Sequence, residues 1–239
     1  MQKGELRGKV AIVTGGTKGI GEAIANKLNS LGAKVIICSR EKAKSKHYFI
    51  QCDVSKSEDV KKLMNEVIAK FKKIDILVNN AGIYPTVELK DMTEEQWDQM
   101  MSINLKGTFN FTRAVIPYMI KQKSGNIVNL SSIAGILGFE SMIHYCTTKA
   151  GIRGFTMASA VELAKYGIRV NAIAPGLIDT PGVRNLMGEK GIKGFVQQVP
   201  LKRHGVPNDI AETAAFLVSN SSSYITGQII VVDGGFSIQ

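Results

Sequence analysis

Short apolar runs alternate along the chain with longer stretches in which apolar residues return every three or four positions. The short runs are Val10–Val13, Lys34–Cys38, Tyr48–Cys52, Ile74–Val78, Asn126–Leu130, Arg169–Ile173 and Gln228–Val232. Several are apolar without interruption, as in Val35-Ile36-Ile37 and Ile229-Ile230-Val231-Val232. Such runs suit strands covered on both faces, as parallel strands are. The periodic stretches Ile20–Leu31, Glu58–Phe71, Glu94–Lys121, Ile143–Lys165 and Asp209–Ser219 predict helices. Strand then helix, repeated from end to end, predicts an α/β fold: one doubly wound, Rossmann-like parallel sheet of about seven strands, helices on both faces. No linker divides the chain, so residues 1–239 are expected to form one domain.

Two intervals break the rhythm. Between the second and third strands lies only Ser39–His47, too short for the usual helical crossover, and a loop or single turn is predicted there. Pro181–Arg203 is long and punctuated by Gly182, Gly188, Gly191 and Gly194, and is expected to be a substrate lid.

Composition narrows the setting. The stretch Met1 to Arg7 has no apolar signal core, and no apolar run reaches the ~18–20 residues of a membrane helix. Three cysteines, Cys38, Cys52 and Cys146, are an odd number without metal-ligand spacing. Free thiols, a cytoplasmic setting and no metal site are expected. The net charge of +10 raises the question of a nucleic-acid partner. No basic-aromatic motif accompanies it, however, and Lys61, Lys62, Lys70, Lys72 and Lys73 fall at solvent-facing helix positions. A solvated basic surface accounts for the charge, and neither nucleic acid nor membrane is expected as a partner.

The first strand runs into Thr14-Gly15-Gly16-Thr17-Lys18-Gly19-Ile20-Gly21 and then a helix. Glycines at a strand-to-helix turn let a backbone approach a pyrophosphate, and the helix N-terminus offers N–H groups and positive dipole. Tight strand–helix packing is the competing explanation. At the end of the second strand, NAD sites usually place an acid against the ribose 2′-hydroxyl, and NADP sites place cations. Here the strand ends Cys38-Ser39-Arg40, with no acid before Glu41, and Lys18 adds a cation in the glycine turn. NADP(H) is the expected cofactor.

Tyr145 and Lys149 stand four apart and share a helix face, on a helix predicted to start near Ser141. A free phenol has a pKa near ~10. A neighbouring ammonium favours phenolate, which predicts a pKa lowered toward the working range. Alone this pair is weak evidence. Its company strengthens it: Ser132 follows the strand Asn126–Leu130, and ligands of parallel sheets bind at the carboxyl ends of strands. Asn104 and Asn79-Asn80-Ala81-Gly82 place further polar residues where packing would favour apolar ones.

These marks, with Asp53, Pro175-Gly176 through Thr180 and the terminal Asp233-Gly234-Gly235, stand in order along nearly the whole chain. In them the chain resembles the short-chain dehydrogenase/reductase family. The resemblance implies hydride transfer between nicotinamide and a carbonyl or secondary alcohol, with Tyr145 as acid–base. It implies that Ser132 holds the reacting oxygen, Lys149 lowers the phenol pKa and bonds the nicotinamide ribose, and Asn104 anchors a relay water. Gly15, Lys18 and Ile20 would line the phosphates, and Thr17, Gly19 and Gly21 would also bind the cofactor. Arg40 would meet the 2′-phosphate with Lys18, Asp53 and Val54 the adenine, and Asn80 and Ala81 the adenine ribose side, with Ser39 and Gly82 also binding the cofactor. Ile178 and Thr180 would reach the carboxamide, and Pro175 and Gly176 would also bind the cofactor. Ser131 competes with Ser132, and the family's spacing selects Ser132.

His144 and Cys146 flank the tyrosine and are expected to be packing residues, Cys146 a small buried one. The predicted helices Glu94–Lys121 and Ile143–Lys165 carry apolar residues on more than one face, which suggests partner subunits; in this family such helices pair, implying a homotetramer. The substrate pocket is expected from Ile133–Glu140, Ser141–Met142, Tyr84–Val87 and the lid. A 3-oxoacyl-(acyl-carrier-protein) reductase is the leading activity. Of the two basic docking positions common in that branch, one falls on Lys123 but the other on Tyr166. The alternatives are a glucose or aldose 1-dehydrogenase, a general ketone reductase and, from a different class, a dinucleotide sensor without turnover.

Overall fold

The computed structural model describes residues 4–239; Met1 to Lys3, part of the N-terminal stretch read above, lie outside the described residues. Seven strands form one parallel sheet in the order β3-β2-β1-β4-β5-β6-β7. They are β1 (Val10–Thr14), β2 (Lys34–Ser39), β3 (Tyr48–Gln51), β4 (Ile76–Asn79), β5 (Gly125–Leu130), β6 (Ile168–Pro175) and β7 (Ile229–Val232). β1 shows why the apolar runs are unbroken. Ala11 and Val13 pack with Ile24 and Leu28 of α1 (Gly19–Ser30) and with Ile210 and Ala214 of α7 (Pro207–Val218). Val10 and Ile12 join the opposite layer, with Leu63 of α2 (Ser57–Phe71), Phe111 of α4 (Gly107–Gln122) and Leu163 of α5 (Ile143–Leu163). Successive side chains from Val10 to Val13 thus enter two different cores, which keeps all four apolar.

The Ser39–His47 crossover has no helix, as the spacing predicts. The predicted helix Glu94–Lys121 is three pieces: α3 (Glu94–Met100), a π-helical turn over Met101–Lys106, and α4. The π turn coincides with Asn104, whose amide bonds main-chain groups of another segment. The helix expected near Ser141 begins at Ile143, because Ser141 has φ +60° and cannot be helical. Most of Pro181–Arg203 is α6 (Pro181–Gln198), bent where Gly188 takes φ +62° and ψ 174°. No side chain of α6 is fully buried.

Candidate active site

The chain goes β1, β2, β3 to one side and returns with β4 to the other side of β1, opening a crevice at the carboxyl ends of the strands. Its floor is tied by Asn80, whose Nδ2 donates to the carbonyls of Thr14 (2.9 Å) and Gly15 (3.1 Å). The Thr14 hydroxyl in turn accepts from the main-chain N–H groups of Asn80 and Ala81, each at 3.0 Å. Gly15 has φ +65°, and a Cβ there would lie 2.9 Å from Asn80 Nδ2 and 3.0 Å from Ala81 Cα. A Cβ on Gly21 would overlap the Gly15 carbonyl. The glycines thus let the turn pack closely on Asn80, Ala81 and itself, and Thr17, Lys18 and Ile20 of the same turn line the cleft.

A cleft of about 860 Å³ extends from this turn. Arg40 and Lys42 line it beyond β2, with Lys18 in the turn. Asp53 lines it after β3, its Oδ1 accepting from Ser55 N (3.0 Å) and Oγ (2.7 Å). Burial raises the Asp53 carboxyl, but these bonds and the Arg40 charge together hold it below its ordinary value.

At the other end, α5 carries Tyr145 and Lys149 into the cleft. Lys149 Nζ donates to the Leu130 carbonyl at 2.7 Å, at the end of β5, and stands 5.5 Å from the centre of the Tyr145 ring. Burial pushes the ammonium down to about 8. Ser131 is turned inward, donating to the Lys149 carbonyl at 2.9 Å. Ser132, whose Oγ accepts from Ala134 N at 3.1 Å, reaches the Tyr145 hydroxyl. Burial pushes the Tyr145 phenol up to about 12, the Ser132 hydrogen bond opposing this in part. In the chain alone the expected lowering of the phenol by Lys149 is therefore not found: desolvation dominates, and the ammonium is spent on a carbonyl. The Tyr84 ring meets that of Tyr145 edge to face, at 6.3 Å and 71°.

Beyond Tyr145 the lining is apolar and aromatic: Phe139, Met142, Leu186, Met187 and Phe195. Phe236, near the C-terminus, stacks on Phe195 (4.4 Å) and faces Phe139 (6.4 Å).

A family model described as Enoyl-(Acyl carrier protein) reductase matches residues 15–237. The chain belongs to the short-chain dehydrogenase/reductase family. Among its relatives, the 3-oxoacyl-[acyl-carrier-protein] reductase FabG of Thermotoga maritima is 41% identical over 245 residues, covering 98% of this chain and 99% of its own. FabG of Aquifex aeolicus is 41% identical over 244 residues, covering 97% and 98%. Among solved structures, the ligand-free aldohexose dehydrogenase AldT of Thermoplasma acidophilum superposes with a TM-score of 0.96 at 35% identity, covering 100% of this chain and 97% of its own. Levodione reductase follows at 0.93 and 34%, covering 97% and 98%.

In this short-chain dehydrogenase/reductase the cleft gathers nearly every residue picked from the sequence. Gly15, Thr17, Lys18, Gly19, Ile20, Gly21, Ser39, Arg40, Asp53, Val54, Asn80, Ala81, Gly82, Ser132, Tyr145, Lys149, Pro175, Gly176, Ile178 and Thr180 all line it. Asn104 does not. Its side chain accepts from Ile83 N (2.8 Å) and donates to Ile83 O (2.8 Å), bracing the loop after β4 from behind the cleft wall. Cys146 is partly exposed rather than buried. His144 is fully buried, with neither ring nitrogen hydrogen-bonded. Cys38 and Cys52 also line the cleft. Contact with Cys52, and then burial, raise the Cys38 thiol well above its ordinary value. Nothing in the cysteine spacing signals that meeting; it follows from β2–β3 pairing. Among the described residues no cluster of metal-ligating side chains occurs.

Proposed function

We propose that this oxidoreductase is an NADPH-dependent carbonyl reductase in which Tyr145 protonates the reacting oxygen, and that carrier- or thioester-linked 3-oxoacyl groups are its leading substrates. The observation that carries the reading is the meeting of the Ser132 and Tyr145 hydroxyls at one end of a cleft whose other end is a glycine-rich strand-to-helix turn. Two hydroxyls directed at one point suit an oxygen, one holding it and the other supplying its proton.

The turn fits a dinucleotide: Gly15, Lys18, Gly19 and Ile20 would hold its phosphates at the start of α1. Arg40 and Lys18 would meet a 2′-phosphate, Arg40 by its fork and Lys18 as a point charge. When bound, the cofactor supplies the hydride. A phenol raised by burial holds its proton at neutral pH but gives it up less readily than a free one. The Lys149 ammonium would stabilise the phenolate left behind, and Asn104 would act by fixing the loop that carries Tyr84. The proposed lid is Pro181–Arg203. Its lack of any fully buried side chain in α6 suits a segment that opens cheaply. A homotetramer is proposed from the exposed apolar side chains of α4 and α5.

The apolar wall of Phe139, Met142, Leu186, Met187 and Phe195 favours an acyl chain over a sugar. An aldose dehydrogenase is the second reading, favoured by the superposition on AldT. A screen of NADPH oxidation over 3-oxoacyl thioesters, diketones and ketones, with sugars tested against NADP+, separates them. Reduction of the 3-oxo group of the thioesters is expected; oxidation of a sugar with no 3-oxo group reduced removes the leading substrate. Tyr145→Phe should lower turnover by at least ~10²-fold while NADPH still binds. Unchanged turnover in that variant would defeat the acid–base assignment.

A further inference from the structure

We propose that Tyr84 is a positioning residue that ties the first turn of α6 to the Tyr145 phenol, so that displacing either displaces the other. The inference rests on the reading of Tyr145 as acid–base.

The backbone just before Tyr84 is fixed, since the Asn104 amide holds both main-chain groups of Ile83. From that anchor the side chain touches two things. One edge of the ring meets Tyr145. Its hydroxyl rests on Gly182, the second residue of α6. A Cβ on Gly182 would overlap the Tyr84 hydroxyl and come within 3.1 Å of Cζ.

The backbone does not explain this glycine. Gly182 is absent from the positive-φ positions, and a helical glycine costs about 1 kcal/mol relative to alanine. What the glycine provides is room for a phenol. A tyrosine has two side-chain torsions and a rigid ring, so pressure on Oη moves the whole ring, and the ring abuts Tyr145. α6 has few other inward ties: the Arg184–Asp179 ion pair at 2.6 Å before the bend at Gly188, and the Phe195–Phe236 stack after it.

The test compares the wild type, Gly182→Ala, Tyr84→Phe and the double variant by two measurements. The first is the rate of trypsin cleavage within α6, at Arg184, Lys190 and Lys193, which needs no substrate. The second is kcat/KM for NADPH-dependent ketone reduction, with the Kd for NADPH as a control on the fold. Overpacking against the phenol should make Gly182→Ala roughly tenfold worse in both rates. Removing the hydroxyl leaves only the 3.1 Å approach to Cζ. The double variant should therefore recover most of that loss in both, while NADPH affinity stays the same throughout. An active wild type whose Gly182→Ala defect is not relieved by Tyr84→Phe would overturn the coupling alone. A wild type that reduces no carbonyl would overturn the reading of the site, and the coupling with it.

Discussion

Lys149 is a cation held where a cation is disfavoured. Its folded pKa lies near 8 against an ordinary 10.5, because burial penalises the charged form. Below the lower value both folded and unfolded chains carry the proton, and the penalty is felt in full. Between the two values only the unfolded chain keeps it, so stability rises with pH across that window, by on the order of 3 kcal/mol. Lys149→Met should abolish this rise, as read from thermal or denaturant unfolding at pH 7 and pH 10. A rise that persists in the variant would contradict the burial penalty. Arg40→Asp tests the other end of the cleft. It should shift preference toward NAD+ or NADH, because a carboxylate repels a 2′-phosphate and accepts from a 2′-hydroxyl; an unaltered ratio of kcat/KM values would deny Arg40 that role. The spacing of Tyr145 and Lys149 was legible in the sequence because a helix turns four-residue spacing into adjacency. Their protonation was not, since it depends on what the packed chain removes from water around them.

At the scale of elements, strands were easier to read than helices. The runs in β1, β2 and β4 are apolar on both sides, a signal that survives small errors in their ends. The segment Glu94–Lys121 reads as one helix because a π turn shifts the apolar face without breaking its recurrence, and the clasp of Asn104 on Ile83 is a long-range contact. α6 shows the reverse. Four glycines weaken its helix signal, and the chain keeps helical backbone everywhere except Gly188. Amides of Pro181–Gln198 should exchange with deuterium faster than those of α7, whose Ile210, Ala211, Ala214 and Ala215 are buried. Gly188→Ala should strain the bend by about 1–3 kcal/mol. A changed KM with unchanged NADPH affinity is the expected result, read by steady-state kinetics and cofactor titration. Equal exchange in α6 and α7 would argue against a segment that opens.

Across the whole molecule, the parallel sheet and the carboxyl edge that holds the site follow from the alternation of strand and helix, and so were readable. Substrate identity was not, because the apolar lining of the cleft is assembled from Phe139, Met142, Leu186, Met187 and Phe195, which come from separate segments of the sequence. Oligomeric state belongs at this scale too. Phe109 on α4, and Met157 and Val161 on α5, are 43%, 53% and 83% exposed, large apolar side chains facing outward on neighbouring helices. Light scattering should give a mass near four times 25.9 kDa. Val161→Glu should lower it without loss of the circular dichroism of the fold; a wild-type chain that sediments as a monomer would refute the assembly.

The bare crossover after β2 has a consequence for how the protein is loaded. With no helix over Ser39–His47, Arg40 and Lys42 stand in open solvent, as does Lys18, whereas Lys149 is enclosed. Mobile ions screen the first group over a distance of ~10 Å at moderate salt and scarcely touch the second. Capture of a phosphorylated ligand should therefore weaken as ionic strength climbs, while the rate of the step inside the filled cleft holds steady. In such a molecule the surrounding electrolyte, rather than the chemistry, sets how often the cleft is ready.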